Sequence, residues 1–331
     1  MASPRTLCSM RSSEAKKTNL PEFRPRTLLC CHDAGAANLL FSWAEASIIA
    51  SESESSYFQV MAQGPAGELL RRYKPLNRQA TNRGLEEALD GVDFLVAGSG
   101  WASDLELQAI RMAQNRGIYA VSVLDHWVNY ADRFTRKGIK ERPHELWVGD
   151  DIALRLAEDT FPELTVRMWR NAYLDKSVRE VKLYEHQVLR ESVNVVYLLE
   201  PIRARWGDST EDGEFDALRF FFSNLTKLKL SSIDQIILKP HPSEARGKYS
   251  EIIFEYSGLG HRITIAEDCK LEELIASADV VIGCQTYAMV IALACGKRVV
   301  SSLPPWAPPC ALPQVGIERL ASLGDSCSVE N

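Results

Sequence analysis

From Thr27 onward, short runs rich in Val, Ile and Leu alternate with amphipathic stretches of helix length, and this alternation passes along the chain twice. A run that is apolar at every position suits a strand buried on both faces, and helix-length connections return the chain so that successive strands lie parallel. In the first half the pattern predicts strands at Thr27–His32, Tyr57–Ala62, Phe94–Ala97, Tyr119–Leu124, Leu146–Val148 and Val166–Trp169. In the second half it predicts Asn194–Leu199, Gln235–Lys239, Arg262–Ala266, Val280–Gly283 and Arg298–Ser302. The expected fold class is α/β, with two doubly wound parallel-sheet domains facing a central cleft, since such sheets bind ligands outside the carboxyl ends of their strands.

The chain has 331 residues, of which 46% are hydrophobic, enough for two cores. Asp175–Ser192 is charged and poor in apolar residues, as suits a connector between separately cored sheets, and it puts the boundary near residue 190. The expected organisation is a disordered N-terminal segment, 1–25, an N-terminal Rossmann-like domain, 26–190, that includes the connector, and a C-terminal Rossmann-like domain, 191–331. The first 25 residues mix Ser, Lys, Arg and Pro without an apolar core, unlike a signal peptide, and Glu14 and Glu22 interrupt any transit-peptide pattern. Ser51–Ser56 reads as a polar loop, and the proline-rich Leu303–Pro313 as a surface wrap after the last strand.

A net charge of −6 gives no attraction to polyphosphate, and no local basic patch stands out, so nucleic acid is not an expected partner. No apolar run approaches the roughly 20 residues of a membrane span. The eight cysteines form no CxxC pair and have no histidine at ligand spacing, so no metal site is expected. Cys30, Cys31, Cys284 and Cys295 fall in apolar patterns as buried thiols, which suits a reducing, cytoplasmic location.

Chemistry is therefore sought at the strand ends. Lys239-Pro240-His241-Pro242 follows a strand directly, and the two prolines restrict the backbone around His241. A rigid imidazole there can bind a phosphate oxygen or stabilise charge on a departing nucleotide, with Lys239 adding a point charge. The strand ending at Gly283 leads through Cys284-Gln285-Thr286 into an apolar helix closed by Gly296, and the amides at such a helix start form an anion site. The bland alternatives are a surface turn with an incidental histidine and a threonine that only caps its helix. The reading gains weight from finding both features on consecutive strands.

The succession of strand, KPHP, a carboxylate-bearing segment, ADVVIGCQT, an apolar helix and GKRVV resembles the C-terminal nucleotide domain of glycosyltransferase B enzymes. It is nearest to the inverting group with a His-Pro motif, which includes bacterial sialyltransferases, polysialyltransferases and Kdo transferases. His241-Pro242 matches that motif, and Gln285-Thr286 matches its later hydroxyl pair in part. The resemblance covers residues 190–305, and the N-terminal half in architecture alone. It implies two Rossmann-like domains, a nucleotide-sugar donor that is often a CMP-activated acidic sugar, and binding through Lys239, Pro242, Gly283, Gln285 and Thr286. The group's acidic-acidic-Gly motif is matched by Glu211-Asp212-Gly213, making Asp212 a candidate base, although the stretch reads equally as an acidic helix start. A ribose-binding glutamate is missing from the helix after Thr286, and Glu267 and Asp268 are its first substitutes.

In the first half, Asp33-Ala34-Gly35-Ala36-Ala37-Asn38 follows a strand with small side chains that let a ligand approach the backbone. Gly35 and Asn38 are candidate substrate contacts, and Asp33 can accept a proton from an attacking hydroxyl or merely cap a helix. Gly98-Ser99-Gly100-Trp101 follows another strand, giving Gly98, Ser99 and Trp101 as substrate-side candidates, with Trp101 either stacking on a sugar or filling the core. Leu124-Asp125-His126-Trp127 ends a third strand, so Asp125 or His126 is a further candidate base. The base stays open among Asp33, Asp125, His126 and Asp212.

Three functions are consistent with these residues. The first is an inverting, metal-independent glycosyltransferase that needs no cofactor and moves sugar from a nucleotide donor to a glycan or small hydroxyl acceptor. The second is a nucleotide-sugar 2-epimerase, which needs several carboxylates and a base around one sugar carbon. The third is a catalytically inactive nucleotide-sugar-binding protein. A homo-dimer is among the assemblies these readings allow.

Overall fold

The computed structural model describes residues 19–50, 58–136, 138–185 and 193–324. The chain divides into two compact units, Met1–Tyr173 and Leu174–Asn331. The predicted Ser51–Ser56 loop, most of the 1–25 segment and the end of the expected connector lie outside the described residues.

The first unit holds a six-stranded sheet of β1 (Thr27–Cys31), β2 (Phe58–Ala62), β3 (Phe94–Ala97), β4 (Tyr119–Val123), β7 (Glu145–Val148) and β8 (Thr165–Met168). A two-stranded antiparallel pair, β5 (Thr135–Arg136) and β6 (Ile139–Lys140), stands apart from it. The strand order is β2-β1-β3-β4-β7-β8, with every pairing parallel. β1, β3 and β7 are buried at every position, the polar Thr27 and Glu145 at two of their starts included. The helix Ala34–Ala50 covers one face with Leu39, Leu40, Phe41 and Trp43, and Trp147 of β7 meets Phe23, Trp43, Phe94 and Trp169 in an aromatic cluster. Phe23 corrects one expectation: the segment from Asn19 is not a free lead-in, because Leu20 and Phe23 pack against the core and Asn19 bonds the Met168 carbonyl.

The second unit holds β9 (Val193–Leu198), β10 (Ile233–Lys239), β11 (Arg262–Ile265), β12 (Val280–Gly283), β13 (Arg298–Ser301) and β14 (Ile317–Arg319). Their order is β11-β10-β9-β12-β13-β14, again parallel throughout. Val195, Tyr197, Leu218, Phe221, Ile236, Leu238, Ile282 and Val300 form its core.

Two readings of the sequence need correction here. The strands that carry His241 and Gly283 are not neighbours, because β9 lies between β10 and β12; chain order and sheet order differ once a doubly wound sheet reverses direction. The strand at Arg298 is not the last either: after the irregular proline-rich stretch the chain returns as β14, which is only three residues long and half-exposed, giving little pattern to read. Of the charged segment, the residues up to Tyr184 belong to the helix Ala172–Tyr184, most of which falls within the second compact unit.

Each sheet has one place where neighbouring strands send their connections to opposite sides: between β1 and β3 in the first, and between β9 and β12 in the second. Fully buried Phe221 fastens the helix Gly213–Ser223 over β9 through Tyr197. Phe221→Ala should destabilise the second unit by about 3–5 kcal/mol, read as a loss of its unfolding midpoint in urea.

Candidate functional site

In the first unit the exits of β1, β3 and β4 bring polar groups together. Asp33, just past β1, receives the Trp101 amide on Oδ2 at 2.9 Å and holds His32 Nδ1 against Oδ1 at 2.8 Å. Its side chain thus spans the β1–β3 reversal. Gly100 is required there, since a Cβ on it would stand 2.0 Å from Asp33 Oδ2. Asp125, past β4, binds the buried Arg133 guanidinium at 2.6 Å, and its other oxygen lies where a Cβ on Gly35 would stand, 1.9 Å away. Arg133 also donates to the Ser99 hydroxyl at 3.0 Å, and that hydroxyl donates to the Val123 carbonyl at 2.7 Å.

The candidates therefore divide. Asp33, Gly35 and Asp125 meet in one place. Gly98 and Ser99 are buried: a Cβ on Gly98 would press on Ala36, Cys31 and Glu106, and the Ser99 hydroxyl is engaged by Arg133 and the Val123 carbonyl. Trp101 is 46% exposed, so it is not a core residue, and the Arg136 guanidinium lies 5.8 Å from its ring centre. His126 packs its ring against Trp127, while Asn38 is half-buried on the helix that follows Asp33.

The sequence reading missed His32, Glu106 and Arg133. His32 closes a strand and looked like part of it, whereas its ring turns against Asp33 and rests where a Cβ on Gly64 would stand. Glu106 is 2% exposed and accepts the His32 amide at 2.7 Å; desolvation raises its pKa. A buried glutamate on an amphipathic helix gives no local sign of its role. Arg133 looked like an ordinary polar turn residue.

In the second unit Glu200, two residues past β9, accepts the Gln285 amide at 2.9 Å, tying the exits of β9 and β12 at the point where the sheet reverses. Burial pushes its carboxyl up to about 7, against the pull of the Gln285 amide. This residue, absent from the sequence reading, offers the carboxylate that Glu267 and Asp268 were expected to supply. Those two engage Arg246, and Glu267 also accepts the Gly247 amide. The Gln285 side chain accepts the Ala311 amide at 3.1 Å, which holds the proline-rich segment over the site. Thr286 stands at the N-cap of the helix Tyr287–Ala294 with extended backbone and no side-chain cap bond, so its hydroxyl does not take the structural role the bland reading assigned it. Gly283 has a packing role, since a Cβ there would crowd Met289 and the Leu198 carbonyl.

His241 sits past β10. Its Nδ1 receives the Ser243 amide at 3.2 Å and lies 2.8 Å from the Ser243 hydroxyl, while its own amide reaches Glu244. Desolvation lowers its pKa despite the opposing charge of Glu244. Lys239 spends its ammonium on the Ala266 and Glu267 carbonyls, at 3.0 and 2.9 Å, so it holds the exit of β11, and desolvation depresses its pKa. Asp212 is the N-cap residue of the helix Gly213–Ser223 and lies 3.6 Å from Arg205. Among the described residues no group of three His, Cys, Asp or Glu side chains is arranged to hold a metal ion.

Solved structures share this architecture. UDP-GlcNAc 2-epimerase from Neisseria meningitidis, bound to UDP-GlcNAc, matches with a TM-score of 0.57 at 12% identity over 83% of this chain and 82% of its own. The fold is that of glycosyltransferase B. The Methanocaldococcus jannaschii UDP-GlcNAc 2-epimerase, in complex with UDP-GlcNAc and UDP, gives 0.53 at 13% identity, covering 83% of each chain. MnaA of S. aureus, solved with UDP, gives 0.56 at 10% identity over 84% of this chain and 79% of its own. No family model matches the chain, and no curated protein sequence does. At such identities the likeness concerns the fold.

Glu200 makes a testable contribution to stability. Its pKa in the folded chain, about 7, exceeds the ordinary 4.5, so between those values the folded state holds more of this proton than the unfolded state. The stability it contributes is therefore full below pH 4.5, falls as pH rises to about 7, and is level above. Glu200→Gln keeps an acceptor for the Gln285 amide and removes the titration, so the variant should gain on the parent across that window in thermal unfolding scans. Parallel curves would contradict the assignment.

Proposed function

We propose that this chain is an enzyme acting on nucleotide sugars: an inverting, metal-independent glycosyltransferase whose second unit binds the donor nucleotide and whose first unit carries the proton-accepting group. The observation that carries this is the junction of β9 and β12, where the half-buried Glu200 carboxyl, the amides opening the helix Tyr287–Ala294 and the uncommitted Thr286 hydroxyl stand together at the reversal point of a parallel sheet. Glu200 suits ribose hydroxyls, and the helix start with Thr286 suits phosphate. His241, on the far side of β9, adds a donor toward the leaving nucleotide.

Among the four candidate bases, Asp33 is favoured. Asp125 spends an oxygen on a buried arginine, His126 packs its tilted ring against Trp127, and Asp212 lies at a helix start 3.6 Å from Arg205. Asp33 has a neighbouring imidazole, His32, to share a proton with. The acceptor's hydroxyl would lose its proton to Asp33, or to His32 held by Asp33, as its oxygen attacks the anomeric carbon and the nucleotide departs. A CMP-activated acidic sugar is the donor we favour, from the resemblance of the His241-Pro242 segment. The free thiols of Cys30, Cys31, Cys269, Cys284, Cys295 and Cys310 accord with a cytoplasmic setting.

A second reading, a 2-epimerase, has an observation in its favour. Asp33, Asp125, Glu106, His32 and Arg133 form a denser acid-base cluster than the sequence suggested, and elimination followed by readdition needs such a set. Incubation with donor alone separates the two: a transferase leaves the sugar configuration unchanged, whereas an epimerase inverts one carbon.

Two outcomes are expected. In a thermal-shift panel of CMP, CDP, UDP, GDP and ADP, at least one nucleotide should raise the melting point, CMP most, because a ligand at 100 times its Kd stabilises by about 2.7 kcal/mol. No shift with any of the five would remove the nucleotide site. Asp33→Asn should lower kcat by about 10²- to 10⁴-fold and leave nucleotide affinity unchanged in calorimetry.

A further inference from the structure

The turn after β10 dictates which proton His241 can carry. A backbone amide can only donate, so the Ser243 N–H aimed at His241 Nδ1 from 3.2 Å requires a bare lone pair on that nitrogen. The Ser243 hydroxyl, 2.8 Å from the same nitrogen, must then donate as well. With Nδ1 doubly occupied as an acceptor, the single hydrogen of a neutral imidazole belongs on Nε2. Protonating Nδ1 would set N–H against N–H and break the turn.

The rest of the turn is held rigidly enough to enforce this. Pro240 and Pro242 bracket the histidine. Glu244 accepts the His241 amide at 3.2 Å, the Lys248 ammonium at 2.6 Å and the Tyr249 hydroxyl at 2.7 Å. Lys248 is paired in turn with Glu214, which is 1% exposed in its side chain and is also bound by Arg203. The charged group facing His241 is therefore Glu244, from its own turn, with Lys248 behind Glu244 on the helix side; the Lys239 ammonium is committed to the exit of β11. Glu244 would favour an imidazolium, yet desolvation prevails, so charge and geometry both leave the ring neutral.

We infer that Ser243 is a positioning residue that fixes His241 as a neutral imidazole with its hydrogen on Nε2, so that His241 serves as an uncharged hydrogen-bond donor and not as an imidazolium or a general acid. The catalytic part of this rests on the proposed nucleotide-sugar chemistry; the tautomer belongs to the free protein. Two groups build it, an amide and a hydroxyl of one residue, and each can be removed separately.

Long-range proton–nitrogen correlation spectra of the ¹⁵N-labelled full chain test it, with the His241 signals identified by their absence in His241→Gln. The expected spectrum has an unprotonated Nδ1 and a protonated Nε2 at pH 7, and a titration midpoint below the ordinary 6.5. Ser243→Ala, which keeps the amide, should keep the tautomer. Ser243→Pro, which removes amide hydrogen and hydroxyl together, should give mixed tautomers and a midpoint closer to 6.5. A hydrogen on Nδ1, or an imidazolium at pH 7, in the parent chain overturns the inference even if Ser243→Pro fails to fold. Turnover provides a second arm: His241→Ala should lose about 10²-fold in kcat, and His241→Gln, which restores a neutral N–H, should recover at least about 10-fold of it. If glutamine is no better than alanine, the donor role is wrong. Since the spectrum is read without substrate, it can fail while nucleotides still bind, and it can hold when none does.

Discussion

Burial of both faces of a parallel sheet is the constraint from which the rest of this structure follows. Strands such as β1, β3 and β12 are enclosed at every position and are apolar along their length except at Thr27, the first residue of β1. Polar groups are displaced to the strand exits, where loop backbone and helix starts can satisfy them. Where two neighbouring strands send their loops apart, those groups collect without a covering helix. Asp33 bridging to the Trp101 amide and Glu200 bridging to the Gln285 amide are the same solution in two sheets: a carboxylate from one strand exit accepts the amide of the other. Each bond ties the sheet at its point of reversal and places an acidic oxygen at the mouth of the site.

The fold was largely legible because this constraint writes itself into sequence. Eleven apolar runs mark eleven strands, with ends displaced by a residue or two. β14 escaped because a short, half-exposed edge strand has no apolar run. The order of strands was not legible in the same way, since β9 separates β10 from β12 in space while preceding both in the chain. That difference concealed Glu200, which is conspicuous only once the exits of β9 and β12 are known to adjoin. In the first unit, Asp33, Gly35 and Asp125 could be picked from their places after strands, but the glycines turned out to serve carboxylates of the protein itself. Gly100 gives way to Asp33 and Gly35 to Asp125. Glu106 was hidden because a buried polar residue within a helix leaves no period or spacing to notice, and His32 and Arg133 because a residue just past a strand or in a short turn carries no sign of what its side chain will meet.

Charge is handled differently in the two units. In the first, buried Arg133 pairs with half-buried Asp125, supplemented by the Ser99 hydroxyl and the Val128 carbonyl. In the second, Glu214 and Glu244 share Lys248, with Arg203 and Tyr249 completing a network that joins the loop after β9, the start of the helix Gly213–Ser223 and the turn after β10. Such a network gains little stability over apolar packing, because desolvation offsets most of the attraction. Its effect is to fix geometry: with the carboxylates anchored, the loops at the β9 and β10 exits cannot shift independently.

The buried thiols have a practical consequence. Cys30 and Cys31 in β1 are wholly enclosed, Cys284 at the end of β12 is nearly so, and burial pushes all three thiols above their ordinary range. Since the thiolate is the reacting species, an alkylating reagent reaches these sulfurs only when the surrounding sheet opens. β1 belongs to one compact unit and β12 to the other. The chain therefore carries a chemical clock in each half, and the modification rates of Cys30 and Cys284, separated by peptide mapping, report the opening of the two sheets individually with no label introduced.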